Sequence, residues 1–380
     1  MEYKKYKLSE CCTIIAGQSP ESKYYNTDGE GLPFFQGKAD FGEVYPKIRV
    51  FCSKPVKIAE KDDILLSVRA PVGPTNLAPG KVCIGRGLTA IRPSDILLTK
   101  YLLLYLKSFE IELANQGTGT TFKAITQSVI KNMEICIPSI HDQERIVTQI
   151  EESLSQLDSA VETLKKTKQQ LEVYRQAVLK EAFSSCDKVE IQSVCKHVTD
   201  GDHMPPPKAE TGIPFIMISN IVGNTIDWSS TAFVSKEYYD NIGDKRTPKK
   251  GDVLYTVTGS FGIPVLIDFE KEFCFQRHIA LLRPNEMIDQ EFLFYALQDS
   301  SVYSQASKRA TGTAQKTVGL TVLRTINIPF TESKEKQTEM VSIIKSRLTQ
   351  CDMVENTVNQ SLQQAEALRQ SILKQAFEED

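Results

Sequence analysis

Gln169-Gln-Leu-Glu-Val-Tyr-Arg-Gln-Ala-Val-Leu-Lys-Glu-Ala-Phe183 is answered later in the same chain by Gln363-Gln-Ala-Glu-Ala-Leu-Arg-Gln-Ser-Ile-Leu-Lys-Gln-Ala-Phe377, at a constant offset of 194 residues. Carried backward at that offset, Asp158 meets Asp352, Leu154 meets Leu348, Ile150 meets Ile344 and Gln143 meets Gln337. Further upstream the offset slips by a few residues but the correspondence persists. Ile137-Pro138 matches Ile328-Pro329, and Thr118-Gly-Thr120 matches Thr311-Gly-Thr313. Cys83-Ile-Gly-Arg86 matches Cys274-Phe-Gln-Arg277, followed by Arg92-Pro93 and Arg283-Pro284. Asp63-Ile-Leu-Leu matches Asp252-Val-Leu-Tyr, and Gly31-Leu-Pro-Phe34 matches Gly212-Ile-Pro-Phe215. The chain is a tandem duplication in the order domain, helix, domain, helix. The helical parts resemble each other more than the domains do.

Residues 143–183 contain neither Pro nor Gly and are rich in Gln, Glu, Lys and Leu, all good helix formers. Apolar positions recur at alternating steps of three and four: Ile150, Leu154, Leu157, Val161, Leu164, then Lys168, Leu171, Arg175, Val178 and Ala182. The second copy reads Ile344, Leu348, Cys351, Glu355, Val358, Leu362, Ala365, Arg369, Ile372, Ala376. This is the period of a coiled coil. A helix of this length is a rod of roughly 60 Å, which cannot stay folded alone on one apolar stripe. The two rods are therefore predicted to pack as an antiparallel pair with one globular domain near each end. The interface consists of Ile150, Leu154, Leu157, Val161, Leu164, Leu171, Val178, Ile344, Leu348, Val358, Leu362 and Ile372. For the polar seam positions two readings stand. Either the stems pack and the heads reach solvent, or the repeated Arg175 and Arg369 mark register or receive a partner.

The predicted architecture is α+β with a pseudo-two-fold internal repeat: a domain over 1–140, a long helix over 141–184, a second domain over 185–331 and a second long helix over 332–380. Both domains read as mixed. Strand candidates are Pro33–Gln36, Asp63–Val68, Val82–Ile84 and Leu88–Ile91, with counterparts Pro214–Ile218, Asp252–Val257, Phe273–Phe275 and Ile279–Leu282. Helices are predicted over Lys100–Asn115 and Asp289–Ser307.

Composition limits the function classes. The 380 residues are 41% hydrophobic and 24% charged, as in a water-soluble globular protein. No apolar run reaches the ~18 residues of a membrane helix, and the Met1-Glu-Tyr-Lys-Lys start lacks an apolar signal region. Nine cysteines without metal spacing predict reduced thiols in a cytoplasm, and four histidines offer no zinc pattern. The net charge of −3 counts against a nucleic-acid binder, except that residues 1–140 hold 18 Lys+Arg against 14 Asp+Glu. Binding to DNA would thus use local basic faces or share the work with partners. No phosphate loop, nucleophile elbow, Asn-Pro-Pro-Tyr/Phe methyltransferase sequence or nuclease carboxylate cluster occurs, so no catalytic residue is predicted.

Two pairs of loops have nucleic-acid chemistry. Ser67-Val-Arg-Ala-Pro-Val-Gly73 and Thr256-Val-Thr-Gly-Ser-Phe-Gly262 each follow a strand, one with an Arg and the other with hydroxyls. Gln116–Lys123 and Ala310–Lys316 are rich in Gly and Thr and end in Lys, which suits a phosphate oxygen or simply a tight turn. Thr199-Asp-Gly-Asp-His203 with Pro205-Pro-Pro207 reads as an Asx-type turn and rigid loop, its metal-nest alternative being the weaker one. The predicted contacts are Lys38, Arg69, Lys123, Asn220, Thr258, Ser260, Gln315 and Lys316, with Asn220 serving either an adenine edge or a buried turn.

With these residues in place, the chain resembles the specificity (S) subunit of type I restriction-modification systems over nearly its full length. The resemblance rests on the Ile-Pro step into a Gln-bearing helix, the Arg-Gln…Leu-Lys…Ala-Phe helix ends and the Thr-Gly-Thr loops, all duplicated in one order. It implies two target-recognition domains, each reading one half of a bipartite double-stranded DNA site, with the helices as a ruler for the spacer. It also implies two methyltransferase (M) subunits that use S-adenosylmethionine, motor-nuclease (R) subunits in the full complex, and no cofactor or metal on this chain. The alternative is a coiled-coil adaptor whose two domains bind proteins. A nuclease reusing the same readers is a third reading.

Overall fold

The computed structural model describes residues 4–118, 123–202, 206–207, 209–313 and 315–378. Two units emerge, one built from residues 1–165 and 359–380 and the other from 166–358. Each contains a sheet domain and segments of both long helices.

In the first unit, a four-stranded antiparallel sheet runs in the order Cys12–Ala16, Leu88–Pro93, Ile64–Ser67, Thr75–Leu77. In the second, Cys195–Asp200, Ile279–Pro284, Val253–Thr256 and Pro264–Leu266 repeat that order. Alongside lies a second sheet in which Leu32–Phe35 runs parallel to Val82–Ile84, as Ile213–Ile216 does to Cys274–Phe275. It has five strands in the first unit and three in the second, so the units differ in the segments between the shared strands.

The central strands read as unbroken apolar runs because both faces are covered. Successive side chains point to opposite faces. Ile64 and Leu66 join the core formed with Tyr101, Leu102 and Ile150, whereas Leu65 packs with Phe35, Ile84 and Leu88. Val253 and Tyr255 likewise pack with Phe292 and Val302, and Leu254 with Ile216 and Phe273.

Each predicted domain helix is instead a pair: Thr99–Ser108 with Glu110–Gln116, and Gln290–Ala296 with Ser300–Arg309. In the second unit the break is set by Asp299, whose carboxylate accepts the Ser301 amide and caps a new helix.

The long helices span Ile140–Ala182 and Lys334–Glu378. The hydroxyls of Ser139 and Ser333 cap their starts by accepting the amides of Asp142 and Lys336. Every predicted seam residue is buried or half-buried: Ile150, Val178, Ile344 and Val358 are buried, and Leu154, Leu157, Val161, Leu164, Leu171, Leu348, Leu362 and Ile372 half-buried. The two helices are antiparallel within each unit. In the second unit Arg175 meets Asp352 at 2.6 Å and Glu355 at 3.0 Å, while Glu181 meets Arg347 at 2.7 Å. In the first unit Arg369 meets Asp158. Arg175 and Arg369 are repeat equivalents, as are Asp158 and Asp352, so each copy's Arg finds the other copy's Asp. Partly exposed pairs such as these contribute under about 1 kcal/mol. Their geometry favours the register reading of the seam arginines.

Two further repeated residues tie sheet to helix. Gln143 is fully buried; its carboxamide oxygen accepts the Leu98 amide (2.8 Å) and its NH2 donates to the carbonyls of Ile96 (2.8 Å) and Pro138 (3.0 Å). Gln337 does the same with the Asp289 amide (2.7 Å) and the carbonyls of Met287 (2.9 Å) and Thr331 (2.7 Å). The repeated Asp and the repeated Arg-Pro also prove to be partners. Arg92 forks onto Asp63 at 2.7 and 2.8 Å, and Arg283 onto Asp252 at 2.9 and 2.8 Å.

Candidate nucleic-acid interface

The loops singled out separately in sequence are joined in each unit. In the first, Ala70 N–H donates to the Lys123 carbonyl and Ile125 N–H to that of Val68, both at 3.0 Å, while Thr118 and Ala124 exchange two hydrogen bonds. In the second, Gly259 N–H donates to Lys316 (2.9 Å) and Val318 N–H to Val257 (2.8 Å), while Thr311 and Thr317 exchange two. The four bonds correspond one for one. Residues 119–122, within the first Gly/Thr loop, lie outside the described residues, as do His203 and Pro205 of the predicted Asx-type turn and Ala314.

The loop after the strand is braced alike in both units. The buried Ser67 hydroxyl donates to the carbonyls of Arg69 (3.1 Å) and Pro71 (2.8 Å), and that of Thr256 to Ser260 (2.8 Å). Gly73 and Gly262 close the turn at φ +109° and +97°. A Cβ there would come within 2.6 Å of the Glu110 carbonyl or 2.7 Å of the Tyr303 ring, so only glycine fits.

Beside each braced loop lies an open cleft. In the first unit it encloses about 890 Å³ and is lined by Gln36–Asp40, Arg49, Arg69–Pro71 and Arg86–Gly87, among others. In the second it encloses about 440 Å³ and is lined by Ile218, Ser219, Thr256, Thr258–Ser260, His278 and Gln315, among others. The walls correspond: Arg69–Pro71 matches Thr258–Ser260, and Lys38 sits where Ser219 does relative to the shared Pro-Phe strand. Their chemistry does not. Four cations line the first cleft, whereas hydroxyls, an amide and an imidazole line the second. Burial, and then the neighbouring Arg277 charge, holds His278 below the ordinary histidine pKa, so it faces the cleft as a neutral ring at pH 7.

The predicted contact residues distribute unevenly. Lys38, Arg69 and Gln315 line the clefts, the first two exposed on the basic wall. Thr258 and Ser260 line the second; Thr258 is 7% exposed and its hydroxyl accepts from Thr317 at 3.3 Å. Lys123 and Lys316 occupy equivalent exposed places, their carbonyls holding the neighbouring loop. Asn220 takes the second of its two predicted roles. It is 1% exposed, its carboxamide oxygen accepts the Met217 amide at 2.9 Å, and its NH2 donates to the Asp227 carbonyl at 3.4 Å. A side chain committed to a buried turn has no edge left for a base. Arg86, Ser219 and His278 were not among the predicted contacts. Arg86 was legible, since it ends the repeated Cys83–Arg86 motif. Arg49 was also missed, but its guanidinium is held by Asp40 and the Ala39 carbonyl.

Among the described residues no cluster of three His, Cys, Asp or Glu could hold a metal, and no helix is long and apolar enough to cross a membrane.

Two similarly braced clefts of unlike lining define a protein of two tandem units, and comparison with known proteins places it. Residues 1–173 and 186–364 each match the type I restriction modification DNA specificity domain, and the chain belongs to that family. A relative from Methanocaldococcus jannaschii, named for the specificity subunit of the MjaX type I restriction enzyme, is 40% identical over 44% of this chain and 38% of its own length. The chain thus spans well under half of that relative. The MjaVIII type I restriction enzyme specificity subunit of the same organism is 24% identical over 91% of this chain and 86% of its own. Among solved structures, the HsdS subunit from Thermoanaerobacter tengcongensis is 47% identical over 40% of this chain and 38% of its own, with a TM-score of 0.38.

Proposed function

We propose that this chain is the specificity subunit of a type I restriction-modification complex and reads a bipartite double-stranded DNA site, one half in each unit. The observation that carries this reading is the pair of equivalent clefts with unlike linings. A site with two different half-sequences needs two unlike readers on a repeated frame. The antiparallel helices set the spacer between the halves and dock two methyltransferase subunits, and motor-nuclease subunits complete the restriction complex. S-adenosylmethionine belongs to the modification subunits; this chain contributes recognition and no catalytic group, in the cytoplasm. The single surplus of positive charge lies over residues 1–140, so the methyltransferase subunits share the contact with phosphate.

The contacts proposed are Lys38, Arg69, Lys123, Thr258, Ser260, Gln315 and Lys316, to which the cleft geometry adds Arg86, Ser219 and His278. Titrating the chain with duplex DNA, alone and with its methyltransferase subunits, tests the reading. Binding should weaken steeply with salt, by roughly 0.9 in log affinity per log unit of salt for each phosphate neutralised. It should become sequence-specific once the methyltransferase is present. Firm assembly with the methyltransferase but no DNA affinity at low salt would favour the protein-adaptor alternative.

A further inference from the structure

The two clefts contrast most sharply at one position. Arg69 lies two residues beyond the Ile64–Ser67 strand, and Thr258 two beyond Val253–Thr256. Their backbones are held alike, Arg69 bridging Ala124 and Thr258 bridging Thr317. The Arg69 carbonyl also accepts the Ser67 hydroxyl at 3.1 Å, and the next residue's amide is held by Lys123 at 3.0 Å. The root of the side chain is therefore fixed from several directions. Its head is exposed at the cleft, with no hydrogen bond or ion pair among the described residues. Arg49 in the same cleft is different, because Asp40 and the Ala39 carbonyl already occupy its guanidinium.

A planar fork of donors on a fixed root matches a pair of adjacent acceptors. In the major groove that pair is guanine O6 and N7; adenine offers one acceptor beside a donor, and cytosine a donor. Lysine ammonium groups such as those of Lys38 and Lys123 are compact point charges and suit phosphate oxygens better. Resting on the DNA-reading function proposed above, we infer that Arg69 is a specificity-determining residue that reads a guanine in the first unit's half-site by a bidentate pair. Thr258 leaves the second unit without that preference from the equivalent position.

The test uses the full chain assembled with its methyltransferase subunits and a duplex library randomised across both half-sites. The wild-type complex enriches a guanine in the half-site assigned to residues 1–140. Arg69→Ala lowers discrimination at that one base pair by about ten- to a hundred-fold and leaves the other half-site unchanged. Arg69→Gln shifts the preference at that pair from guanine towards adenine, whose N6 and N7 a carboxamide matches. Arg69 is exposed, so unchanged urea midpoints certify the fold of both variants. If Arg69→Ala weakens all sequences equally, lowers the salt slope by about one and keeps the consensus, Arg69 is a phosphate contact and the inference is overturned. If the variants leave both affinity and consensus unchanged, it is overturned as well. Enrichment of no sequence by the wild-type complex would overturn the DNA-reading function itself, and this inference with it.

Discussion

Replacing Gln337 by Leu is expected to destabilise the unit of residues 166–358 by about 3 kcal/mol or more. The side chain is fully buried and makes three hydrogen bonds, to the Asp289 amide and the Met287 and Thr331 carbonyls. Leucine fills the space but leaves the three backbone groups without that partner, each at about 1–3 kcal/mol where no water replaces it. Gln337→Glu should be worse although isosteric, since it turns a carboxylate oxygen onto two carbonyls in a site too buried to solvate the charge. Gln143 has the same role in the other unit, so Gln143→Leu should lower that unit by a similar amount. Urea unfolding resolves the effects, with each variant shifting one transition. A cost below about 1 kcal/mol for Gln337→Leu would mean that the repeated glutamine does not fix the start of the helix against its sheet domain.

Asp252→Ala is the second large effect, at about 3 kcal/mol. Asp252 is 2% exposed and receives Arg283 through two nitrogens and the Lys249 amide at 2.8 Å. Removing it takes the bidentate partner from a guanidinium whose side chain is only 14% exposed, leaving it the Thr247 carbonyl at 2.8 Å and, more loosely, the Asp244 carbonyl and carboxylate at 3.2 and 3.5 Å. The equivalent Asp63→Ala should cost less, because Arg92 is 41% exposed and water can take over its donors. Thermal or urea unfolding of the two variants measures the ranking. A larger loss for Asp63→Ala would show that solvent access to the arginine does not decide the cost. Neither aspartate lines a cleft, so both belong to the frame and not to the reading surface.

That division accounts for what could be read from sequence. Many of the residues repeated at matched positions are frame residues: Gln143 and Gln337, the Asp63–Arg92 and Asp252–Arg283 pairs, and the reciprocal Arg and Asp of the helices. The long helices were legible as well, because apolar residues at alternating steps of three and four fall on one face of a helix. Spacing did not reveal that the repeated Asp and Arg-Pro meet, since the two lie 29 residues apart in one copy and join only across the sheet. The break before Ser300 was missed because Asp299 sits in otherwise helical composition and only its capping bond shows the restart. The residues proposed as contacts were the least legible. Lys38 and Arg69 could be picked by charge, but Asn220 has the right chemistry in the wrong place, turned inward to hold Met217 and Asp227. Ser219 had only its repeat equivalence to Lys38 as a signal and His278 had none; chain segments some sixty residues apart bring both to one cleft. The frame repeats, whereas the proposed contacts repeat only in part: Lys123 matches Lys316 and Arg86 matches Arg277, but Arg69 faces Thr258 and Lys38 faces Ser219 across the repeat.

The most direct test of the central claim is the methylation pattern of a host that carries this chain with its methyltransferase subunits. Genome-wide detection of methylated bases should return one bipartite motif, two specific halves separated by a spacer of fixed length. Replacing residues 1–140 by the first domain of a relative, with both long helices kept, should change one half of the motif and leave the other half and the spacer intact. An unchanged motif in the chimera, or a change in both halves at once, would contradict two independent readers on one duplicated frame.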